Sequence, residues 1–299
     1  MDTRDEIRQF LTSRRAKITP QQAGLPAYGA NRRVKGLRRH EVAMLAGVSV
    51  EYYAKLERGN LAGVSETVLE AVARALHLDE AERAHLLDLA KTAGRRAKPP
   101  ARRTQTRRAI RPGVLRLLET ITDAPAFVRN GRLDLLAAND LARALYAPVF
   151  ETPANRENLA RFRFLDPAAA EYYPGWEESA STTVNLLRTE AGRDPYNPEL
   201  TELIGELSTR SQEFRTRWAA HDVRLHHTGT KHFHHPVVGD LHLAFEAMPL
   251  PADPGLTLTA FYAEPGTASH DGLRLLASWG ASEMTDRAKA AELSDESTA

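Results

Sequence analysis

The chain has 299 residues, a formal charge of +1, 42% hydrophobic and 26% charged residues; that is enough for two domains, since a single core rarely grows so long. Cysteine is absent, which excludes disulfides, zinc ribbons, iron–sulfur centres and thiol catalysis and suits a cytoplasmic protein. Residues 1–6 are charged where a secretion signal needs apolar side chains, and no apolar run approaches the ~20 residues that span a bilayer, so a soluble, unexported chain is expected.

The first helix is expected over Asp2 to Arg15, with Ile7, Phe10 and Leu11 at helical spacing and acidic and basic ends that suit its dipole. A Gly- and Pro-containing stretch follows and ends in Arg32-Arg33-Val34-Lys35-Gly36. The segment Leu37 to Gly59 then reads as two helices across a short turn. Val42 and Ala46 lie one turn apart, Ala43 is small enough for a close crossing, and Gly47 sits where the chain must leave through a left-handed conformation. Val48 plugs the corner, Ser49 caps the second helix, and Tyr53 and Leu56 point inward. This is the pattern of a helix-turn-helix. Two more helices are expected, one carrying Val68, Leu69, Val72 and Leu76, the other opened by an Asp79/Glu82 capping box and bearing Leu86, Leu87 and Ala90.

Charge supports the same reading. Residues 1–112 hold 23 Lys and Arg against 12 Asp and Glu, whereas the remainder holds 17 against 27. A basic small module is the electrostatic footprint of nucleic-acid binding. Five helices in about ninety residues resemble the lambda-repressor-like, XRE-type DNA-binding domain. Base-edge candidates are the outward residues at the start of the second helix: Ser49, Val50, Glu51, Tyr52 and Lys55. Arg14, Arg15, Arg32, Arg33 and Lys35 read as phosphate ligands. The resemblance implies backbone and flanking-base contacts for Arg38 and Arg39. Residues 93–111, basic, without acids and stiffened by Pro99-Pro100, read as a linker, either a tether or an arm along phosphates.

From Pro112 the pattern changes. Val114, Leu117, Leu118 and Ile121 make an amphipathic helix, and Ala126 to Ala137 reads as a hairpin around Asn130-Gly131. Asn139 is placed to cap the next helix, and Asp166-Pro167 and Asn197-Pro198 open further helices, the last running to about Ala220. Strands are expected over Thr230–Val238, Asp240–Met248 and Thr257–Ala263, with a polar tail over 281–299. The expected architecture is α+β: an N-terminal all-α helix-turn-helix domain over 1–92, then over 112–280 a PAS-like domain with an antiparallel sheet and covering helices.

Several segments carry a more specific resemblance: Asn139…Leu141-Ala142-Arg143-Ala144-Leu145, Tyr172-Tyr173-Pro174-Gly175-Trp176, Glu206-Leu207…Ser211…Phe214…Trp218…His221-Asp222-Val223, Lys231…Phe233…His235-Pro236-Val237-Val238-Gly239 and Ala263-Glu264-Pro265-Gly266. Together with the helix-turn-helix they resemble the MmyB-type transcription regulators over roughly residues 4–280. That resemblance implies a homodimeric, ligand-responsive transcription factor on a double-stranded DNA operator, with a pocket able to hold a small apolar ligand such as a fatty acid. Tyr172, Tyr173, Trp176, Phe214, Trp218 and Phe233 are either plain core or a pocket lining, and Arg188, Arg217, His221 and His235 beside them are the polar anchor candidates.

Seven histidines fall between His221 and His242. His232 and His234 share a strand face and, with His227 or His242, form the one metal-binding alternative; otherwise they decorate a solvent-facing strand. Three readings follow. The leading one is a ligand-sensing regulator that needs no metal and no cofactor and is not an enzyme, since no phosphate loop, Gly-x-Ser-x-Gly elbow or His-Glu-x-x-His is present. The second is a histidine-cluster metal sensor or DNA-tethered metalloenzyme. The third gives the C-terminal domain only dimerisation or protein binding.

Overall fold

A computed structural model describes residues 3–25, 34–94, 110–219 and 228–280. The linker, Arg32, Arg33, His221, His226, His227 and the tail lie, wholly or nearly so, outside the described residues. Helices α1 (Thr3–Lys17), α2 (Arg39–Ala46), α3 (Val50–Glu57), α4 (Glu66–Ala75) and α5 (Glu80–Gly94) form the N-terminal module. Their apolar faces converge on one core that includes Ile7, Phe10 and Leu11 of α1, Val42 and Ala43 of α2, Tyr53 and Leu56 of α3, and Leu69 and Val72 of α4. At the turn, Gly47 takes φ +66° and its N–H and that of Val48 close α2 onto Met44 and Ala43. Ser49 accepts from the Tyr52 N–H at 3.0 Å; such a cap is worth about 1 kcal/mol.

Next come α6 (Pro112–Thr120), strands β1 (Ala126–Asn130) and β2 (Leu135–Ala138), α7 (Asp140–Leu145), α8 (Ala147–Glu151), a 3₁₀ turn (Pro153–Asn155), α9 (Leu159–Leu165), α10 (Ala169–Tyr172) and α11 (Trp176–Arg193). Then follow α12 (Pro198–Arg210), α13 (Gln212–Ala219), β3 (Thr228–His235), β4 (Gly239–Pro249), β5 (Leu256–Tyr262) and a helix over 268–280. The five strands make one antiparallel sheet in the order β2-β1-β5-β4-β3. Asn139 caps α7 by accepting from the Ala142 N–H at 2.9 Å. The fold is α+β, as expected.

Details differ from the expected elements for local reasons. The first hairpin is wider than a two-residue turn, because the Asn130 side chain accepts from the N–H groups of Arg132 and Asp134 and Leu133 takes φ +69°. The helix expected from Pro198 to Ala220 breaks at Ser211, whose hydroxyl accepts from Phe214 N–H at 3.2 Å and restarts the chain as α13. Strand β3 ends at His235 because Pro236 has no N–H for the ladder.

Compactness groups the described chain in another way than linear order. Residues 3–25, 34–94 and 184–219 form one unit; 110–183 and 228–280 form the other. The last ten residues of α11, with α12 and α13, thus pack in the unit that holds the helix-turn-helix. Close approach fixes this packing: a Cβ on Gly192 would come within 2.6 Å of the His85 ring of α5. The Thr92 hydroxyl donates to the Gly192 carbonyl at 3.3 Å.

Candidate DNA interface and ligand site

Helix α3 leaves the turn with Ser49, Val50, Glu51 and Lys55 exposed and Tyr52 half-buried against the core, while Tyr53 is buried. Four of the five base-edge candidates therefore share the solvent side of the second helix, whereas Tyr52, expected to point outward, packs partly against the core. Around them Lys35, Arg38, Arg39 and Arg58 are also exposed, which leaves a basic rim beside the helix start, the arrangement that phosphate contacts need.

Two arginines read as phosphate ligands turn inward instead. Arg14 is buried and ion-paired with Glu82, with its guanidinium over the Phe10 ring. It falls on the stripe Ile7, Phe10, Leu11, Arg14, at positions i, i+3, i+4 and i+7, so helical geometry drives it into the core side. Arg15 donates to Glu57 at 2.6 Å and to the Leu37 carbonyl at 2.9 Å. Glu57 was not singled out by its sequence pattern. It is 2% exposed at the end of α3 and also accepts from Arg39. One carboxylate thereby ties α3 to α1 and to the start of α2, and it holds the Arg39 guanidinium above its ordinary value through that hydrogen bond.

The ligand candidates divide between the two units. Arg188, Phe214, Arg217 and Trp218 lie in the unit with the helix-turn-helix. Arg188 is fully buried, ion-paired with Glu6 of α1 at 2.7 Å, bonded to the Trp218 carbonyl and stacked over the Trp218 ring, which itself stacks on Phe214. Arg217 lies 3.6 Å from Glu213. These contacts pack Arg188, Trp218 and Phe214 into one cluster.

In the other unit Tyr172, Tyr173 and Phe233 join Phe127, Tyr146, Phe162 and Phe261 in a buried ring cluster of mostly edge-to-face pairs. Trp176 packs on Phe164 and donates to the Arg163 carbonyl at 3.2 Å. An open cleft of about 500 Å³ lies elsewhere in this unit, between Leu115, Leu118, Ile121, Leu136, Asn139 and Arg143; none of the expected ligand residues lines it.

Within the ring cluster sit two cations that were not among the ligand candidates. Arg163 of α9 is 3% exposed and lies 3.5 Å from the Tyr173 ring centre. Burial pushes its guanidinium down, and its Nε and one terminal nitrogen have no hydrogen-bond partner. Lys231 of β3 places its ammonium 5.5 Å from the same ring. Burial, then the nearby Arg163 and Arg129, hold it well below the usual lysine range. The Tyr146 and Tyr173 hydroxyls are enclosed and reach no partner in hydrogen-bond geometry, although they lie close enough to affect one another's ionisation. Tyr172 is satisfied, donating to the Leu145 carbonyl. A signal was available for Lys231: it shares the inward face of β3 with buried Phe233 and His235, two and four residues on.

His235 is buried with both ring nitrogens engaged, Nε2 at 3.1 Å from the Ala144 carbonyl and Nδ1 accepting from the Val237 N–H at 3.2 Å. It ties β3 to α7. Burial lowers its pKa from 6.5, so the unfolded chain takes up the proton first as pH falls. Stability is therefore expected to decline below about pH 6.5 and level off beneath the folded value. Urea midpoints at pH 7.5 and 5.5 should differ less in His235→Gln than in the parent. His232 and His234 lie on the opposite face, at 3.4 and 2.7 Å from Asp240, and His232 stacks on His242. Among the described residues no group of three or more His, Asp or Glu is placed to hold a metal.

A helix-turn-helix with an exposed basic rim, followed by an antiparallel α+β domain, defines the class: a DNA-binding regulator with a ligand-sensing domain. Residues 110–276 match the family model of the MmyB-like transcription regulator ligand binding domain, and residues 8–86 match a helix-turn-helix domain. The chain belongs to the MmyB-like transcription regulator family. No curated protein matches it. Among the described residues no helix is long and apolar enough to cross a membrane.

Proposed function

We propose that the protein is a cytoplasmic, homodimeric, XRE-type transcription regulator whose C-terminal domain senses a small apolar ligand, a fatty acid in chemical class, and whose occupancy alters operator binding. It is not an enzyme in this reading. The carrying observation is the start of α3, where Ser49, Val50, Glu51 and Lys55 are exposed beside Lys35, Arg38 and Arg39. One recognition helix reads too few base pairs for selective binding, which is the reason for a two-fold dimer on paired half-sites. Coupling of ~1–3 kcal/mol between ligand and DNA would change operator affinity about 5- to 150-fold.

The test uses duplex DNA selected from a random pool by the full-length protein. Lys55→Ala is expected to weaken binding to that DNA about tenfold or more at unchanged melting temperature, consistent with loss of a base-edge or phosphate contact. Lys35→Ala should weaken binding to all sequences alike and lower the salt slope by about one. Unchanged affinity and selectivity in both variants would reject this recognition surface.

A further inference from the structure

Helix α11 runs unbroken for 18 residues, about 27 Å, yet it belongs to both compact units. The part through Thr183 groups with the sheet, and the part from Val184 groups with the helix-turn-helix. Of the places where the chain passes between units, those at 106–107 and 225–226 lie outside the described residues; the one at 183–184 lies within this helix. Each part is held by its own unit. In the first, the Trp176 ring packs on Phe164, its Nε1–H donates to the Arg163 carbonyl at 3.2 Å, and Ala180 and Thr183 are buried. In the second, Val184, Leu187 and Arg188 are buried, Arg188 pairs with Glu6 of α1, and Gly192 sits against the His85 ring of α5. Those two helices bear on the DNA reader: Arg15 of α1 holds Glu57 at the end of α3, and Glu82 of α5 holds Arg14 of α1.

We propose that α11 is the coupling element between the sheet domain and the DNA reader, so that the setting of its Trp176 end governs operator affinity through Glu6 and His85. The inference rests on the operator-binding reading above and adds the route of its regulation; it does not depend on which ligand is sensed. A helical crossing acts as a semi-rigid spacer, whereas a flexible tether lets its two ends move independently. No proline interrupts α11, and its one glycine comes in the last turn. Close-packed surroundings repack between discrete arrangements rather than deform gradually, so a shift of α11 passes to α1 and α5 instead of being absorbed. The border itself is the softest stretch: Ser179, Ser181, Thr182 and Thr183 are poorer helix formers than alanine. There the Ser181 and Thr183 hydroxyls each donate to the carbonyl one turn back at 2.9 Å, which loosens the backbone ladder.

The experiment is a double-mutant cycle, read as the affinity of the full-length protein for duplex DNA that it has selected from a random pool. Each variant is assayed below its melting temperature, with the active fraction counted by stoichiometric titration. Trp176→Ala is expected to weaken affinity about 2- to 30-fold, the range for a residue that tunes coupling without touching the ligand. Leu258→Ala opens the sheet core on its α6 side, away from α11, and should leave affinity within about twofold. Replacing Ser181 and Thr182 together by glycine should soften the border and abolish the response to Trp176→Ala, whereas replacing both by alanine should keep it. A Gly-Ser insertion after Pro100 should leave the response intact. Unchanged affinity in Trp176→Ala, or an equal loss in Leu258→Ala, would overturn the proposal. A response that survives the glycine pair would overturn it as well, and one that the insertion removes would assign the coupling to the linker instead. Selection of no DNA at all would overturn the operator-binding reading and this inference with it.

Discussion

Arg188→Leu is expected to destabilise the unit that contains the helix-turn-helix by about 3–5 kcal/mol. Arg188 is fully enclosed and Glu6 is 5% exposed. Leucine matches the apolar surroundings, but it leaves the Glu6 carboxylate buried opposite nothing. The cost comes from that stranded charge more than from the attraction lost. The Glu6→Leu, Arg188→Leu double variant should therefore recover most of the deficit, since replacing a whole buried pair by apolar residues is often neutral or stabilising. What remains measures the contacts of Arg188 with the Trp218 carbonyl and ring. Urea unfolding followed separately for the two units checks this, because a chain of two compact units need not unfold in one step. The transition of the first unit should move and the other should not. A single-variant cost below about 1 kcal/mol, the range of an exposed pair, would refute the assignment.

Glu57→Gln should have the next largest effect, about 3 kcal/mol, with an ordering that identifies its cause. The substitution keeps shape and removes charge from a residue 2% exposed, leaving Arg15 and Arg39 without their shared partner. Arg15, at 13% side-chain exposure, loses the most; Arg39, at 57%, turns to water at little cost. Arg39→Ala is accordingly expected to cost under about 1 kcal/mol, as exposed pairs do. Arg15→Leu should fall between the two. Glu57→Gln should also weaken operator binding, because the carboxylate sets the end of α3 against α1 and α2, whereas Lys55→Ala weakens binding at unchanged stability. Thermal melts and DNA titrations on the same preparations separate these cases.

Features written in short stretches of chain were legible from sequence. Gly47, Ser49 and the small Ala43 determine a turn within seven residues, and Asn139 caps α7 from the adjacent position, so local chemistry was sufficient. The strands of the sheet were visible by composition and turns, though their ends depended on Pro236 and on the Asn130 side chain. What escaped was long-range. Arg163 and Lys231 belong to a helix and a strand far apart in sequence, and each looks like an ordinary surface charge until the fold brings them to Tyr173. Arg14 and Arg15 resembled half of a basic patch because their acidic partners, Glu82 and Glu57, lie on other helices. The pairing of residues 184–219 with the N-terminal helices has no local signature at all.

That last pairing bears on how such proteins can be taken apart and recombined. The chain crosses from one compact unit to the other three times. A single cut in the basic linker would leave the N-terminal piece still gripping Arg188 through Glu6, so nicked protein should run as one particle under native conditions. A DNA reader transplanted from a relative at the linker would meet a foreign surface where α11 expects Glu6, His85 and Thr92. Exchange of operator specificity between such regulators must therefore carry residues 184–219 along, or rebuild the face of α1 and α5 that receives them.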